Sequence, residues 1–478
     1  MNEQISRLFG LVVVLFAILV AWTSRWTVFD AASLRNNPLN HRAQLEEQRV
    51  PRGRILAADG TVLAYSTKRA NGTYARHYPT HGLFAHAVGY DYTDIGSTGL
   101  ERFYDGPLTD QSTGLRTVLD QLLGRRRVGK DLYTHLDPTA QRVAYQQLAG
   151  HEGAIVALDP RTGAVRVMAS NPTFNPTTVD IPAVYRRLNS GSTPGPLVNR
   201  ATQFGTAPGS TFKTVTSTAA IDSGKFSIDS TVSGRNGVTI SGVPLSNDSN
   251  ESYGQLNLVE ALTKSVNTVF AQLAVAVGKP TMRKYMERFG FDKKPLLDYP
   301  RDQMSASGEY RSPRSNKILP PTSTYADVGR MGIGQDKLEV TPLQMALVAA
   351  AIANKGVLMQ PRLGARIVDN DGRTTIIKPR VQKRVMSAAT AQALTTMMVS
   401  VVQRGTGTKA SIPGIQVAGK TGTAETQFGS QINNVWFIAF APSSRPRVAV
   451  AVLMKHVPGF GGDFAAPPAK AVIESLLR

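Results

Sequence analysis

The 478-residue sequence contains no cysteine. That excludes a disulfide framework, a cysteine-based zinc site and a cysteine nucleophile, and it suits an exported bacterial protein that avoids thiols. Acid is scarce. Asp and Glu number 34 against 54 Lys and Arg, a net charge of +20. Such a balance favours anionic partners (nucleic acid, lipid headgroups, acidic wall polymers), or it is a solvated basic surface and nothing more. No zinc finger, basic zipper or RNA-binding signature is present, so nucleic acid is set aside as a partner. Repeats and low-complexity tracts are missing too. What remains is a chain long enough for about two or three domains, with 42% hydrophobic residues to fill their cores.

Long apolar runs are also scarce. There is one, LFGLVVVLFAILVAW from Leu8 to Trp22, with Arg7 before it and Arg25 after it. With Thr23 and Ser24 it reaches the length that crosses a bilayer, about 17–25 residues. Trp22 and Trp26 suit the interface. No small-x-small cleavage site follows, and the run is apolar all round, unlike a core helix. It therefore reads as an uncleaved signal anchor rather than a cleaved signal peptide. The flanking charges give no clear orientation.

From residue 28 to about 150 the pattern is mixed. RGRILAADGTVLAYS, Arg52 to Ser66, predicts a hairpin turning at Asp59-Gly60. GLERFYDGPLTD, Gly99 to Asp110, predicts one short amphipathic helix ending at Gly106, and GRRRVGK, Gly124 to Lys130, a basic hinge loop. Leu136 to Leu148 predicts a helix capped by Asp137 with Pro138 at its first position. A second hairpin over Gly153–Ser170 opens the next region. Helices are expected at Ser210–Lys225, Leu256–Val277 and Pro342–Lys355, strands at Val435–Pro442 and Arg447–His456, and a closing helix at the end. Hairpin, helices, then strands and a helix imply an α/β (α+β) domain whose sheet is flanked by helices.

Three short patterns bear on chemistry, and each occurs once: Ser210-Thr-Phe-Lys213, Ser265-Val-Asn267 and Lys420-Thr421-Gly422-Thr423. At a helix start, residues three apart share a face, so Lys213 is expected beside the Ser210 hydroxyl. A serine needs a group to take its proton, and a buried, neutral lysine can do so. Alone, Ser210 reads better as a helix N-cap, and Ser265 and Asn267 as solvated helix positions. In a cleft, Ser265 can relay a proton and Asn267 can orient the lysine and an amide. GIQVAGKT, from Gly414, also matches a phosphate-binding loop literally. The alternation of Ile415, Val417, Thr421 and Thr423 instead predicts a strand there, which such a loop does not allow.

The order Ser-x-x-Lys, Ser-x-Asn, Lys-Thr-Gly resembles that of penicillin-binding proteins and class A β-lactamases. RGRILAADGTVLA is similar to the pedestal motif of class B penicillin-binding proteins. ALDPRTGAVRVMAS, IGQDKLEVTPLQMALVAAAIANKG, WFIAFAP and GGDFAAP are similar to their transpeptidase domain. HAVGY, GLERFYDGPL and LDPTAQRVAYQQL resemble the short-pedestal penicillin-binding protein A group of actinobacteria. One departure stands out: the pedestal motif's Asp-Arg pair is replaced by Ala57 and Ala58.

The resemblance implies a signal anchor (1–27), a non-catalytic, dimerisation-like pedestal (28–150) and a penicillin-binding transpeptidase domain of serine β-lactamase-like fold with a central antiparallel sheet (151–478). It implies D,D-transpeptidation of peptidoglycan stem peptides in wall synthesis and cell division, outside a bacterial membrane, without metal or cofactor. Ser210 is then the nucleophile on D-Ala–D-Ala, and on β-lactams, with Lys213 its base. Ser265 and Asn267 shuttle the proton and hold substrate. Lys420 lowers the pKa of Lys213 by like charge and, with Thr421, Gly422 and Thr423, binds the substrate carboxylate. The N–H groups of Ser210 and Thr423 form the oxyanion hole. A membrane glycosyltransferase is the implied partner. A carboxypeptidase shares the same site. A class A β-lactamase needs a Glu-x-x-Leu-Asn pattern after Ser265, which is missing, and a bifunctional enzyme needs a larger N-terminal region. A silent scaffold is disfavoured by the intact Ser210, Lys213 and Lys420, and a β-lactam sensor by the shortness of the stretch before the apolar run, Met1 to Arg7, where a substantial signalling part is expected.

Overall fold

The computed structural model describes residues 2–25, 48–110, 127–191, 195–312, 317–320, 323, 326–425 and 432–478. The apolar run forms helix α1 (Asn2–Ser24). Its span Gln4–Ser24 has mean hydropathy 2.4, and its apolar stretch is not buried among the described residues. At ~1.5 Å per residue it is long enough to cross a bilayer.

The hairpin at Asp59-Gly60 forms as expected, with β1 (Ile55–Leu56) antiparallel to β2 (Val62–Lys68), which pairs with β3 (Tyr74–His77). Ala57 is fully buried beneath the turn and donates its N–H to Thr61 O at 2.9 Å, so the hairpin closes without the motif's Asp-Arg pair. Gly99–Asp110 is not one helix ending at Gly106. It is two short pieces, Gly99–Phe103 and Asp105–Leu108, broken at Tyr104. The break lets the Tyr104 hydroxyl donate to Asp298 Oδ2 at 2.6 Å, across to the C-terminal region. Of the basic loop, 124–126 lies outside the described residues. Strand β4 (Asp131–Thr134) runs parallel to β1. Helix α2 (Pro138–Leu148) is capped by Asp137, whose side chain accepts from the N–H of Thr139 and Ala140.

A cluster of buried charge holds this N-terminal region together. Glu101, fully buried, accepts from Arg52 Nε and Arg76 Nε, both at 2.7 Å. Burial would raise its pKa, but the two guanidinium groups outweigh burial and hold it below the usual carboxylate value. Removing the shared carboxylate strands the buried Arg76, while Arg52 keeps Asp105 at 2.6 Å and Asp91 at 3.5 Å. Glu101→Ala is therefore expected to cost about 3–5 kcal/mol in chemical denaturation.

The second hairpin is β5 (Gly153–Leu158) and β6 (Val165–Asn171). Then come α3 (Lys213–Asp222), α4 (Leu258–Thr263), α5 (Asn267–Val277) and α6 (Pro342–Ala353). β7 (Gly364–Val368) and β8 (Thr374–Ile376) extend the N-terminal sheet, in the order β8-β7-β4-β1-β2-β3. The chain closes with α7 (Ala388–Arg404), β9 (Ala418–Glu425), β10 (Ile432–Ala441), β11 (Val448–Pro458) and α8 (Ala466–Leu477).

The central sheet has the order β9-β10-β11-β5-β6, all antiparallel. β5, β10 and β11 are largely apolar on both faces because both faces are covered. Along β10, Trp436, Ile438 and Phe440 join the core formed with α3, α5, α6 and α7, while Val435, Phe437 and Ala439 join the core under α2 and α8. All twelve residues of α6 are buried, which makes it the spine of the first core.

Candidate active site

Two expectations about helices need correction, and both corrections build the site. Ser210 is not an N-cap. It lies inside a 3₁₀ turn, Gly209–Phe212, entered from Pro208, and no side-chain cap bond forms. α3 begins only at Lys213. Gly209 explains the geometry: its φ is +52°, and its N–H donates to Gly334 O at 2.9 Å. A Cβ on Gly209 would lie 2.4 Å from Thr423 O and 3.0 Å from Thr423 N, so only glycine lets this turn lie on the β9 backbone. Ser210, half-buried, thus sits beside Thr423 with its hydroxyl free of capping duty.

The expected helix Leu256–Val277 is likewise two helices. Ser265 adopts φ +59° and breaks it between α4 and α5. The break releases the Ser265 carbonyl from any helical ladder and turns it toward Lys213. Lys213 Nζ donates to Ser265 O at 2.6 Å, to Asn267 Oδ1 at 2.7 Å and to Ser265 Oγ at 3.3 Å. These three bonds match the three protons of a charged ammonium, and none goes to Ser210. On losing one proton the amine gains a lone pair, which the serine hydroxyl then needs.

β9 carries Lys-Thr-Gly-Thr as a strand, which excludes the phosphate-loop reading. Lys420 is fully buried and donates to Ser265 Oγ at 2.9 Å. Ser265 Oγ therefore bridges two lysines. Gly422 lies under the serine turn, where a Cβ would meet Pro208 O at 2.6 Å. Thr421 Oγ1 lies 2.6 Å from Thr406 Oγ1, and Thr423 Oγ1 accepts from Gly461 N at 3.2 Å. β9 is an edge strand, so alternate backbone groups have no ladder partner on its open side.

Burial pushes Lys213 down to about 7, against an opposing pull from Asp248. Lys420 is pushed well below the usual lysine value, first by burial and then by the charge of Lys213, again against Asp248. Burial is the largest cause for both lysines, and the charge of Lys213 adds to it at Lys420.

All eight expected residues converge. Ser210, Ser265, Asn267, Thr421 and Thr423 line a cavity of about 810 Å³, and Lys213 and Lys420 lie beneath its floor. The sequence reading missed Asp248, Thr406, and the facing Lys409 and Asp463, an ion pair at 2.9 Å across the cavity wall. GGDFAAP was the one available signal for the last of these. Asp248 carries none, because its neighbours in sequence form only a loop.

The fold, a five-stranded antiparallel sheet between helical layers, agrees with what known proteins show. The family described as penicillin binding protein transpeptidase domain matches residues 153–474, and the penicillin binding protein A dimerisation domain matches 52–132. The chain belongs to the penicillin-binding protein transpeptidase family. Along its whole length it is similar to the peptidoglycan D,D-transpeptidase PbpA of Mycolicibacterium smegmatis, at 34% identity with 99% of that protein covered. Its counterpart from Mycobacterium tuberculosis is 33% identical over the same shares. Among solved structures, the ceftriaxone acyl-enzyme complex of penicillin-binding protein A from M. tuberculosis superposes with a TM-score of 0.81, at 32% identity, over 91% of this chain and 100% of that one. A D,D-transpeptidase domain from Eggerthella lenta gives 0.76 at 34% identity, over 90% and 98%.

Proposed function

We infer that the protein is a peptidoglycan D,D-transpeptidase that works through an acyl-enzyme on Ser210 and is acylated there by β-lactams. The observation that carries this is the chain Lys213–Ser265–Lys420 beside an uncapped serine. Neutral Lys213 takes the Ser210 proton as Oγ attacks the carbonyl of D-Ala–D-Ala. The tetrahedral oxyanion is held by the N–H groups of Ser210 and Thr423. Ser265 passes the proton to the departing D-Ala nitrogen, and Asn267 steadies the lysine and the substrate amide. Lys420, Thr421 and Thr423 hold the substrate carboxylate, with Gly422 keeping the strand close. An amine from a second stem peptide then replaces Ser210 on the acyl group.

The test is direct. The full-length protein, given a D-Ala–D-Ala donor peptide and an amine acceptor, should release D-Ala and yield the linked product by mass spectrometry. D-Ala release with water as the only acceptor would make it a carboxypeptidase.

We place residues 1–27 as a single-pass anchor, with 28–150 as pedestal and 151–478 as the transpeptidase domain on the extracytoplasmic side. The length and exposure of α1 support the anchor, and the two family matches bracket the 150/151 boundary. A membrane glycosyltransferase on the pedestal is the proposed partner. Unchanged co-purification and polymerase activity after replacement of the exposed turn 58–61 would count against it.

A further inference from the structure

Three charged residues that line the cavity take no part in the proposed reaction: Lys409 and Asp463, paired with each other, and Asp248. Asp248 lines it on the Ser265–Asn267 side, opposite the Lys-Thr-Gly strand. Its placement is built rather than accidental. Asn247, almost fully buried, donates to Gly234 O and Glu251 O, both at 2.9 Å, and accepts from the N–H of Thr268 at 3.0 Å. That clamp ties the loop to the first turn of α5. Immediately after it, Ser249 and Asn250 both hold left-handed φ angles, +54° and +56°. Two such residues in succession are strained. Asp248 is the exposed residue between the clamp and the strained pair, and Asn267 Nδ2 donates to its Oδ1 at 3.3 Å.

The charges around it point to a ligand. The two buried lysines beneath the cavity floor suit the carboxylate of the donor and offer nothing to an incoming cation. The other carboxylate lining the cavity, Asp463, is paired with Lys409. Asp248 is thus the one cavity carboxylate outside an ion pair among the described residues. The amine that resolves the acyl-enzyme arrives mostly as an ammonium and needs a counter-charge in the cavity.

We propose that Asp248 binds the acceptor: its carboxylate receives the ammonium of the second stem peptide and holds the nitrogen over the acyl-Ser210 carbon. This rests on the acyl-enzyme reading above. The ammonium loses one proton to water. Its lone pair attacks, the C–N bond forms and the C–Oγ bond breaks. The second nitrogen proton passes through neutral Lys213 to Ser210 Oγ. The net result is an amide, a free serine and one released proton.

The experiment uses the full chain with a thioester donor, and measures how the acyl-enzyme divides between water and amine. D-lysine serves as the cationic acceptor and hydroxylamine, uncharged at neutral pH, as the control. Asp248→Asn should lose about tenfold in partition toward D-lysine, the scale of a charge-assisted hydrogen bond. Partition toward hydroxylamine should stay within about twofold, and Asp248→Glu should recover most of the loss. Undiminished transfer to D-lysine, or an equal fall with both acceptors, would overturn the proposal. Fluorescent penicillin separates the two readings. If wild type fails to form an adduct on Ser210, the nucleophile assignment fails, whereas labelled Asp248→Asn with unchanged acceptor selectivity condemns only the acceptor site.

Discussion

Ser210→Ala is expected to abolish the covalent penicillin adduct and to cut D-Ala release by about 10⁴-fold or more, the scale on which removal of a nucleophile acts. The physical reason is that no second hydroxyl occupies its place. Ser265 also lines the cavity, but its Oγ sits between Lys213 and Lys420 and is engaged by both. Thr423 Oγ1 accepts from Gly461 N. Intact-mass spectrometry after incubation with a fluorescent penicillin reads the result in one step. A persistent adduct on the variant would move the nucleophile elsewhere. Rapid turnover of the drug by wild type would instead indicate a lactamase.

The second large effect concerns Lys213 and has a sign fixed by its protonation. The base must be neutral, and burial brings its pKa to about 7. Acylation should therefore be slow in acid and rise with pH through about 7 as the ammonium loses its proton. Lys213→Arg keeps a cation at the same position but cannot deprotonate in this range. The variant is expected to lose about 10²–10⁴-fold in the acylation rate constant, with the rising limb near 7 gone. Stopped-flow acylation across pH distinguishes this from a purely electrostatic role. A lysine acting only as a fixed charge would tolerate arginine and would show activity falling, not rising, through its pKa.

The two predictions also define what Lys420 does. It shares Ser265 Oγ with Lys213, and the charge of Lys213 helps to hold it well below the ordinary lysine value. On the proposed route a proton leaving Ser210 enters a chain of three adjacent groups, of which Lys213 and Lys420 are fully buried and Ser265 nearly so. That favours transfer to the departing nitrogen over loss to solvent.

Much of the fold was legible because it depends on local pattern. The hairpin at Asp59-Gly60, α2 with its Asp137 cap, the strands β10 and β11 and the buried helix α6 all follow from turn residues and periodicity. The sites of error were those where a rare backbone conformation overrides periodicity. At Ser265 a left-handed φ splits an apparently continuous helix, and at Gly209 another turns the expected cap into a 3₁₀ turn. Neither can be read from hydrophobic spacing, since the neighbouring apolar residues keep helical order on both sides. Tyr104 breaks a third helix for a contact with Asp298, almost two hundred residues away in the chain.

The same division runs through the site. The eight candidate residues were legible from the chain because the three patterns are short, each unique in it, and in a recognised order. Their surroundings were not legible, because packing between distant segments sets them. That tertiary packing buried Lys213 and Lys420, which is what moves their protonation. It placed Ser265 between them, and it freed Ser210 from the capping role that its local surroundings favour. Asp248 belongs wholly to the tertiary side. Its loop reaches the cavity only because Asn247 is clamped to α5, and a contact between distant segments leaves no periodic trace in either one.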